Sequence, residues 1–339
     1  MKRRNDEGMA LLLALLFVAL LSAIIVEFSY EMQVEAALVG NNMDQMEAYN
    51  AAKSAVAAGM GLLIADALAA ADEKRDYVGL LDLWVDGIPM QPMNEAVMGC
   101  TITDECGKLN LNALAGDPEG ESQQGARTLL EAALGALFEA RGVEADPTDA
   151  ILDWLDPDDE PRPNGAESDY YAALDVPYAC KNGPMDSIEE LLLIKDVTPE
   201  LFFGDAEQDP PQLPLNGLLT VHGDPGGTVN ANTAPREVLF AACEARYPGE
   251  SNRAETALEQ REEQPFEKAE QLNDLLRQPP PKEEGASAPP EIFDVTSSRF
   301  RVQGDGMTES TSVRIEAFAE RPLERTGQIV RIEDWRVIR

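Results

Sequence analysis

The chain has one histidine, His222, in 339 residues, and no Cys-x-x-Cys pair, which argues against a zinc site built from imidazole and thiolate. It also lacks a Gly-x-Ser-x-Gly elbow and a Walker loop. His222 falls between an expected strand and a Gly/Pro turn, where a lone histidine reads as a surface turn residue and not a general base. Positive charge is scarce as well: 27 Lys and Arg face 62 Asp and Glu, a formal net charge of −35. Such a field repels phosphate backbones and excludes nucleic acid as a partner, while suiting cations or a basic protein. A glycosidase would set paired acids in an aromatic sugar cleft. Only Trp154, Tyr170 and Tyr171 lie near the densest acids, and the two tyrosines read as core and loop anchors. Nothing marks an enzyme.

What the chain does have is a run of apolar residues from Gly8 to Val26, GMALLLALLFVALLSAIIV, interrupted only by Ser22. As a helix it nearly matches the ~30 Å hydrocarbon core of a bilayer. Lys2, Arg3 and Arg4 ahead of it mark a cytoplasmic side. Glu27, Phe28, Ser29, Tyr30 and Glu31 follow without a small-x-small site, against secretory cleavage behind the run. Two readings remain: an uncleaved anchor, and a prepilin-like signal cut after Gly8 so that Met9 becomes the N-terminus. Helical composition continues without proline to about residue 72, with Gly40, Asn41 and Asn42 as a weak point. Its second half is amphipathic, with Ala55, Ala58, Leu62 and Ala65 on one face and Lys53 and Asp66 elsewhere.

Beyond the helix the texture alternates, and the pattern predicts an α+β fold: a long N-terminal helix packed on an antiparallel sheet, with a large helical insertion. The expected parts are a leader at 1–8, the helix at 9–72 with 9–26 in the membrane, and strands within 73–112. A helical insertion follows at 113–213, then a hairpin at 214–232, a second helical segment at 233–290 and C-terminal strands at 291–339. Helices are expected over Leu114–Ala140, Asp146–Leu155, Ser187–Phe203, Pro235–Arg246 and Asn252–Arg277. Ser187 and Glu190 form a capping-box pattern. Gln278–Pro290 reads as a Pro- and Glu-rich loop, Gly327–Ile338 as the last strand, and Gly304 with Gly306 as a hairpin turn. GKLNLNALAG and GTVNANTAPREVL resemble each other, each a short strand ending in Asn before a helix. The second also resembles helix-hairpin-helix modules that bind DNA backbones, but the acidic balance favours a packing motif.

Four cysteines, Cys100, Cys106, Cys180 and Cys243, permit disulfides if the chain beyond Val26 faces an oxidising compartment. A different cluster carries more chemistry. Asp153, Asp156, Asp158, Asp159 and Glu160 crowd one loop, with Glu167 and Asp169 after them and Pro157, Pro161, Pro163 and Gly165 keeping it irregular. Carboxylates held together repel unless a cation intervenes, and hard oxygen ligands on a flexible loop suit calcium. The spacing is not that of an EF-hand. The favoured ligands are Asp156, Asp158, Asp159, Glu160, Glu167 and Asp169.

Four segments together resemble the minor pseudopilin K family of type II secretion systems: RNDEGMALLLALLFVALLSAIIV, DECGKLNLNAL, ILDWLDPDDEPRPNGAESDYYAAL with PMDSIEELLLIKDVT, and GGTVNANTAPREVL. They stand in the family's order across nearly the whole chain. The resemblance implies a non-enzymatic subunit at the tip of a short periplasmic filament, anchored in the inner membrane. It implies processing by a prepilin peptidase, methylation of the new N-terminus, and calcium in the insertion. The implied partners are the minor pseudopilins I and J and the inner-membrane assembly platform, with the outer-membrane secretin or cargo beyond the tip. Most pilins carry Glu at the fifth position after the cleaved glycine. Here that position is Leu13, an apolar residue as in the K subunit, so no neighbouring amine is needed above it. The rival expectation is an uncleaved, membrane-anchored periplasmic module that binds cargo alone.

Overall fold

The structure, a computed structural model, describes residues 4–116, 121–204, 212–250, 252–276, 291–321 and 330–338. Residues 1–3 of the expected leader, the expected loop at 278–290 and the start of the last expected strand at 327–329 lie outside the described residues. Arg4–Glu73 form one unbroken helix, α1. The weak point at Gly40, Asn41 and Asn42 does not break it: each costs at most ~1 kcal/mol, and strong helix formers flank them on both sides. Residues 9–43 of α1 are exposed throughout, and the buried stretch begins at Ala48. The buried face runs through Ala48, Ala52, Ala55, Val56, Leu63 and Asp66. It is rotated from the expected stripe, leaving Ala65 in solvent and bringing Asp66 inside. Asp66 is tolerated there because Arg321 Nη1 lies 2.6 Å and Arg75 Nη2 3.4 Å from its carboxylate.

Strands β1 (Ile88–Met93) and β2 (Ala96–Asp104) follow α1. The chain then leaves for a helical insertion built from β3 (Leu109–Asn110), α2 (Glu121–Ala140), α3 (Thr148–Leu155), α4 (Ser168–Ala172) and α5 (Pro199–Phe203). It continues through β4 (Leu219–Thr220), β5 (Val229–Asn230), α6 (Arg236–Arg246), α7 (Arg253–Glu263), α8 (Ala269–Leu276) and β6 (Phe293–Asp294). It returns as β7 (Arg299–Met307), β8 (Ser312–Glu320) and β9 (Arg331–Ile338). The main sheet has the order β1-β2-β7-β8-β9, with every pair antiparallel. One core lies between α1 and this sheet and a second, larger one lies inside the insertion.

Gly304 and Gly306 do not turn the chain; the turn is at Thr308–Thr311, where Thr308 N donates to Thr311 O at 2.9 Å. Both glycines lie within β7, directly under α1. A Cβ on Gly306 would overlap Ala48 O and stand 2.5 Å from Ala52 N; one on Gly304 would stand 2.9 Å from Val56 N. From the helix side, a Cβ on Gly59 would lie 2.5 Å from Cys100 Sγ. These absent side chains let helix and sheet backbones meet.

The expected hairpin over 214–232 does not form. β4 pairs in parallel with β3, and β5 in parallel with β6, so the two segments enter different small sheets. Several expected helices are also shorter. Ser187–Phe203 divides into a 3₁₀ turn at Ile188–Leu193, capped by the Ser187/Glu190 box, and α5, with Asp196 at φ 66° between them. Asn252–Arg277 divides into α7 and α8 around Pro265, which cannot donate to a helical ladder. Leu114–Ala140 becomes a 3₁₀ turn at Leu111–Leu114 and α2.

The two resembling segments are the start of a repeated unit. Asn112 Oδ1 accepts from Met185 N at 2.8 Å, and its Nδ2 donates to Met185 O at 2.9 Å. Asn232 makes the same pair of bonds with Phe266, at 2.8 and 2.9 Å. Each partner then opens a matching phrase, PMDSIEEL and PFEKAEQL. Glu190 Oε1 accepts from the amides of Asp186 and Ser187, and Gln271 Oε1 from those of Glu267 and Lys268. In both copies the asparagines hold a strand end to a remote loop, so the repeat has a packing role.

No disulfide joins the cysteines: Cys100, Cys106, Cys180 and Cys243 are all free and buried. They are dispersed through the fold. Cys100 faces α1 from β2, Cys106 follows β2 in a turn, Cys180 lies beside the acidic loop, and Cys243 is inside α6. Burial pushes all four thiols up to about 12, as expected of inert packing residues. His222 is not a surface turn residue but half-buried, stacked on Phe318 with ring centroids 3.8 Å apart. Where the insertion leaves the sheet, Asp104 accepts from Ser297 Oγ, Thr233 Oγ1, the Cys106 amide and Asn230 Nδ2. Complete burial pushes its carboxyl up to about 6 despite these four donors.

Candidate metal centre

The acidic loop begins where α3 ends. Asp146 accepts from Thr148 N at 2.9 Å and Thr148 Oγ1 at 2.6 Å, which starts the helix after Pro147. α3 buries Ile151, Leu155 and Trp154, with the Trp154 ring edge-on to Tyr171 at 5.3 Å. Asp156 is its C-cap in extended conformation, and Pro157 prevents continuation. The loop then folds back over the helix end. Arg162 Nη1 lies 2.6 Å from Asp153 Oδ1 and 2.5 Å from Asp156 Oδ2. Gly165 allows this closure, because a Cβ there would run into the fully buried Asp153 carboxylate.

The fold brings three of the six expected ligands together. Oxygens of Asp156, Asp158 and Glu167 all lie within 4.8 Å of one another. Two oxygens on opposite sides of a calcium ion, each at 2.3–2.6 Å, are about 5 Å apart, so this spacing fits one ion. Glu167 is 4% exposed, neither of its oxygens meets an N–H or O–H donor, and Asp156 Oδ1 is also buried without one. The Cys180 thiol, a weak donor, is beside Glu167. Burial, with Asp153 and Asp156 nearby, pushes the Glu167 carboxyl up to about 7. A buried carboxylate without donors is costly as an anion, and a divalent cation would remove that cost.

The other three expected ligands are not part of this cluster. Asp159 takes bonds from Ser168 and Asn182, which hold its carboxyl below the usual range. Glu160 is exposed, with its backbone N–H donating to Asp158 Oδ1 at 2.8 Å. Asp169 is exposed in the first turn of α4, where its charge complements the helix dipole. Two groups outside the favoured set matter here. Arg162 is the one cation between Asp153 and Asp169 and neutralises the Asp153–Asp156 pair, a signal visible in the sequence. Asn182, at φ 48°, donates through Nδ2 to Asp158 O at 2.7 Å and keeps a buried, unpartnered Oδ1. Its distance along the chain hid it.

Tyr171 is fully buried, stacked on Tyr178, and its hydroxyl accepts from Lys195 N at 3.3 Å. Tyr170 is half exposed at the loop margin. The expected processing residues Gly8 and Met9 lie on α1, as does Leu13, which is 55% exposed in the bare helix.

Similarity to known proteins agrees with the fold. Residues 107–203 match the family model described as type II secretion system (T2SS), protein K. The chain is 28% identical over 326 residues to the type II secretion system protein K of Aeromonas hydrophila, covering 93% of this chain and 92% of that one. It is 29% identical over 205 residues to the protein of the same name from Klebsiella pneumoniae, spanning 58% of this chain and 60% of the relative. The crystal structure of the GspK-GspI-GspJ complex from enterotoxigenic Escherichia coli contains a chain with the same fold, at TM-score 0.63 and 20% identity, over 89% of this chain and 99% of that one. In its inserted domain, over nearly its full length and in its fold, the chain is similar to the type II secretion system K proteins.

Proposed function

We propose that the protein is a minor pseudopilin that sits at the tip of a type II secretion pseudopilus and helps to initiate its assembly. The carrying observation is the division of α1: residues 9–43 stand wholly exposed and apolar-rich, and the following turns are sealed against the sheet. A helix whose first part has nothing of its own chain to pack on needs lipid and then other helices. Leu13 at the fifth place after Gly8 suits a subunit with none above it. Pseudopilins I and J are the fitting partners, since a relative of this fold is found in complex with proteins of those names. On this reading the prepilin peptidase removes residues 1–8, Met9 is methylated, and the insertion stays uppermost in the periplasm. There it is free to meet the secretin or cargo.

Intact-mass spectrometry of the full-length protein from cells with and without a prepilin peptidase tests this. Loss of the first eight residues only when the peptidase is present is the expected outcome. An unprocessed N-terminus in both would favour the uncleaved, cargo-binding anchor instead.

Calcium at Asp156, Asp158 and Glu167 would stabilise the insertion. Thermal unfolding of the full chain in detergent should shift upward by the equivalent of about 2.7 kcal/mol at a calcium concentration a hundredfold above Kd. Glu167→Gln should abolish most of the shift. No response to calcium or to chelator would remove the metal assignment.

A further inference from the structure

One cation already stands among the carboxylates of the acidic loop. Arg162 Nη1 reaches the fully buried Asp153 through Oδ1 at 2.6 Å and Asp156 through Oδ2 at 2.5 Å. Among the described residues, no other Lys or Arg pairs with Asp153, Asp156, Asp158 or Glu167. Asp156 therefore has two roles. It holds the guanidinium, and it also contributes to the cluster with Asp158 and Glu167, while its Oδ1 stays buried without a donor. With calcium at its usual 2.3–2.6 Å from an Asp156 oxygen, the ion and Arg162 Nη1 would stand within about 7 Å of each other. That is inside the ~8 Å Debye length of physiological salt, and burial weakens screening further. The arginine thus favours the loop without metal and opposes the metal.

Whether charge or shape dominates depends on what else closes the loop, and several bonds there do not involve the guanidinium. The Arg162 amide donates to Asp153 Oδ2 at 3.1 Å. Asn164 donates to Asp149 Oδ2 through its backbone N at 3.0 Å and through Nδ2 at 3.2 Å. Lys195 Nζ donates to Asn164 O at 2.8 Å and to Gly165 O at 3.3 Å. Removing the Arg162 charge would leave these bonds in place, so it alters the electrostatics of the site more than its shape. We propose that Arg162 is an internal counter-ion that sets the calcium affinity of the loop. It neutralises the buried Asp153–Asp156 pair when no metal is bound and weakens the hold on calcium when it is. The consequence is a site that exchanges calcium instead of retaining it permanently. The proposal rests on the calcium reading above and deepens it.

The test titrates calcium chloride into the full-length protein in detergent, with affinity read by isothermal titration calorimetry and stability by thermal unfolding. Arg162→Gln should bind calcium at least about tenfold more tightly than the parent, a difference of ~1.4 kcal/mol. In chelator the same variant should melt below the parent, because a buried carboxylate pair has lost its cation. Arg162→Lys keeps the charge and should bind calcium as the parent does. Arg236→Gln, an exposed arginine paired with Glu255, should leave calcium affinity unchanged. The variants are also prepared in calcium and the ion is withdrawn with graded chelator, so that one needing the ion to fold is still measured. There Arg162→Gln should give up calcium at a higher chelator concentration than the parent. If the parent binds calcium and Arg162→Gln binds it no more tightly, the counter-ion role is overturned and the site itself stands. A parent that binds no calcium removes both.

Discussion

Gly306→Ala is expected to lower the melting temperature of the full chain in detergent by roughly 10 °C, for a loss of ~3 kcal/mol or more. The added methyl would collide with the Ala48 carbonyl and crowd the Ala52 amide, both part of the α1 backbone. A side chain in that position could rotate aside, but a helix backbone can yield only by lifting off β7. Lifting it would open the core formed by Ala48, Ala52, Ala55 and Val56 against Val302 and Ile315. Gly61→Ala is the matched control, because a Cβ there meets nothing within 4 Å. It should stabilise α1, by up to ~1 kcal/mol of helix propensity. The same chemical change thus has opposite signs at a packed and an open position. Equal melting temperatures for Gly306→Ala and the parent protein would disprove the close packing described here.

Asp66→Ala should cost ~3–5 kcal/mol, because it removes one member of a buried ion network and leaves cations behind. Asp66 is fully buried, and its carboxylate binds Arg321 at 2.6 Å, Arg75 at 3.4 Å and the Leu83 amide at 3.2 Å. It therefore fastens α1 to the end of β8 and to the loop that follows the helix. Arg75 keeps Asp82 at 2.6 Å, so the larger penalty falls on Arg321, whose side chain is 9% exposed and lies over the Phe300 ring. The double variant Asp66→Ala/Arg321→Met should recover a substantial part of the loss, since no buried charge is then stranded. Additive losses from the two single changes would show that the pair is not coupled.

The parts of this molecule governed by local chemistry were legible in the sequence. A run of apolar residues followed by proline-free helix formers could only become a long helix, and strands were expected within 73–112, where β1 and β2 form. The acidic loop was legible as a cluster of carboxylates because prolines forbid regular structure among them. Which of these carboxylates converge was not. Asp158 and Asp159 are adjacent and chemically identical, yet Asp158 joins Asp156 and Glu167 while Asp159 turns to Ser168 and Asn182. Asn182 was invisible for the reason that remote contacts always are: nothing near it in the chain shows what it will face.

Glycine illustrates the same boundary. At Gly304 and Gly306 the composition suggested a turn, whereas the structure uses both residues for backbone approach within a strand, a demand imposed by a helix about 250 positions earlier. The segment 214–232 likewise suggests a hairpin because its two strands are neighbours in sequence. Each instead pairs with a more distant strand, in a duplicated unit whose copies share the Asn and Glu/Gln bonds to loop amides. By itself, the sequence determined the long apolar N-terminal helix, the α+β class and the location of the acidic loop, because helix periodicity, charge and proline act over a few residues. Tertiary structure alone decided which face of α1 is buried, which carboxylates converge and which strands pair, because those depend on atoms that meet only when distant segments pack.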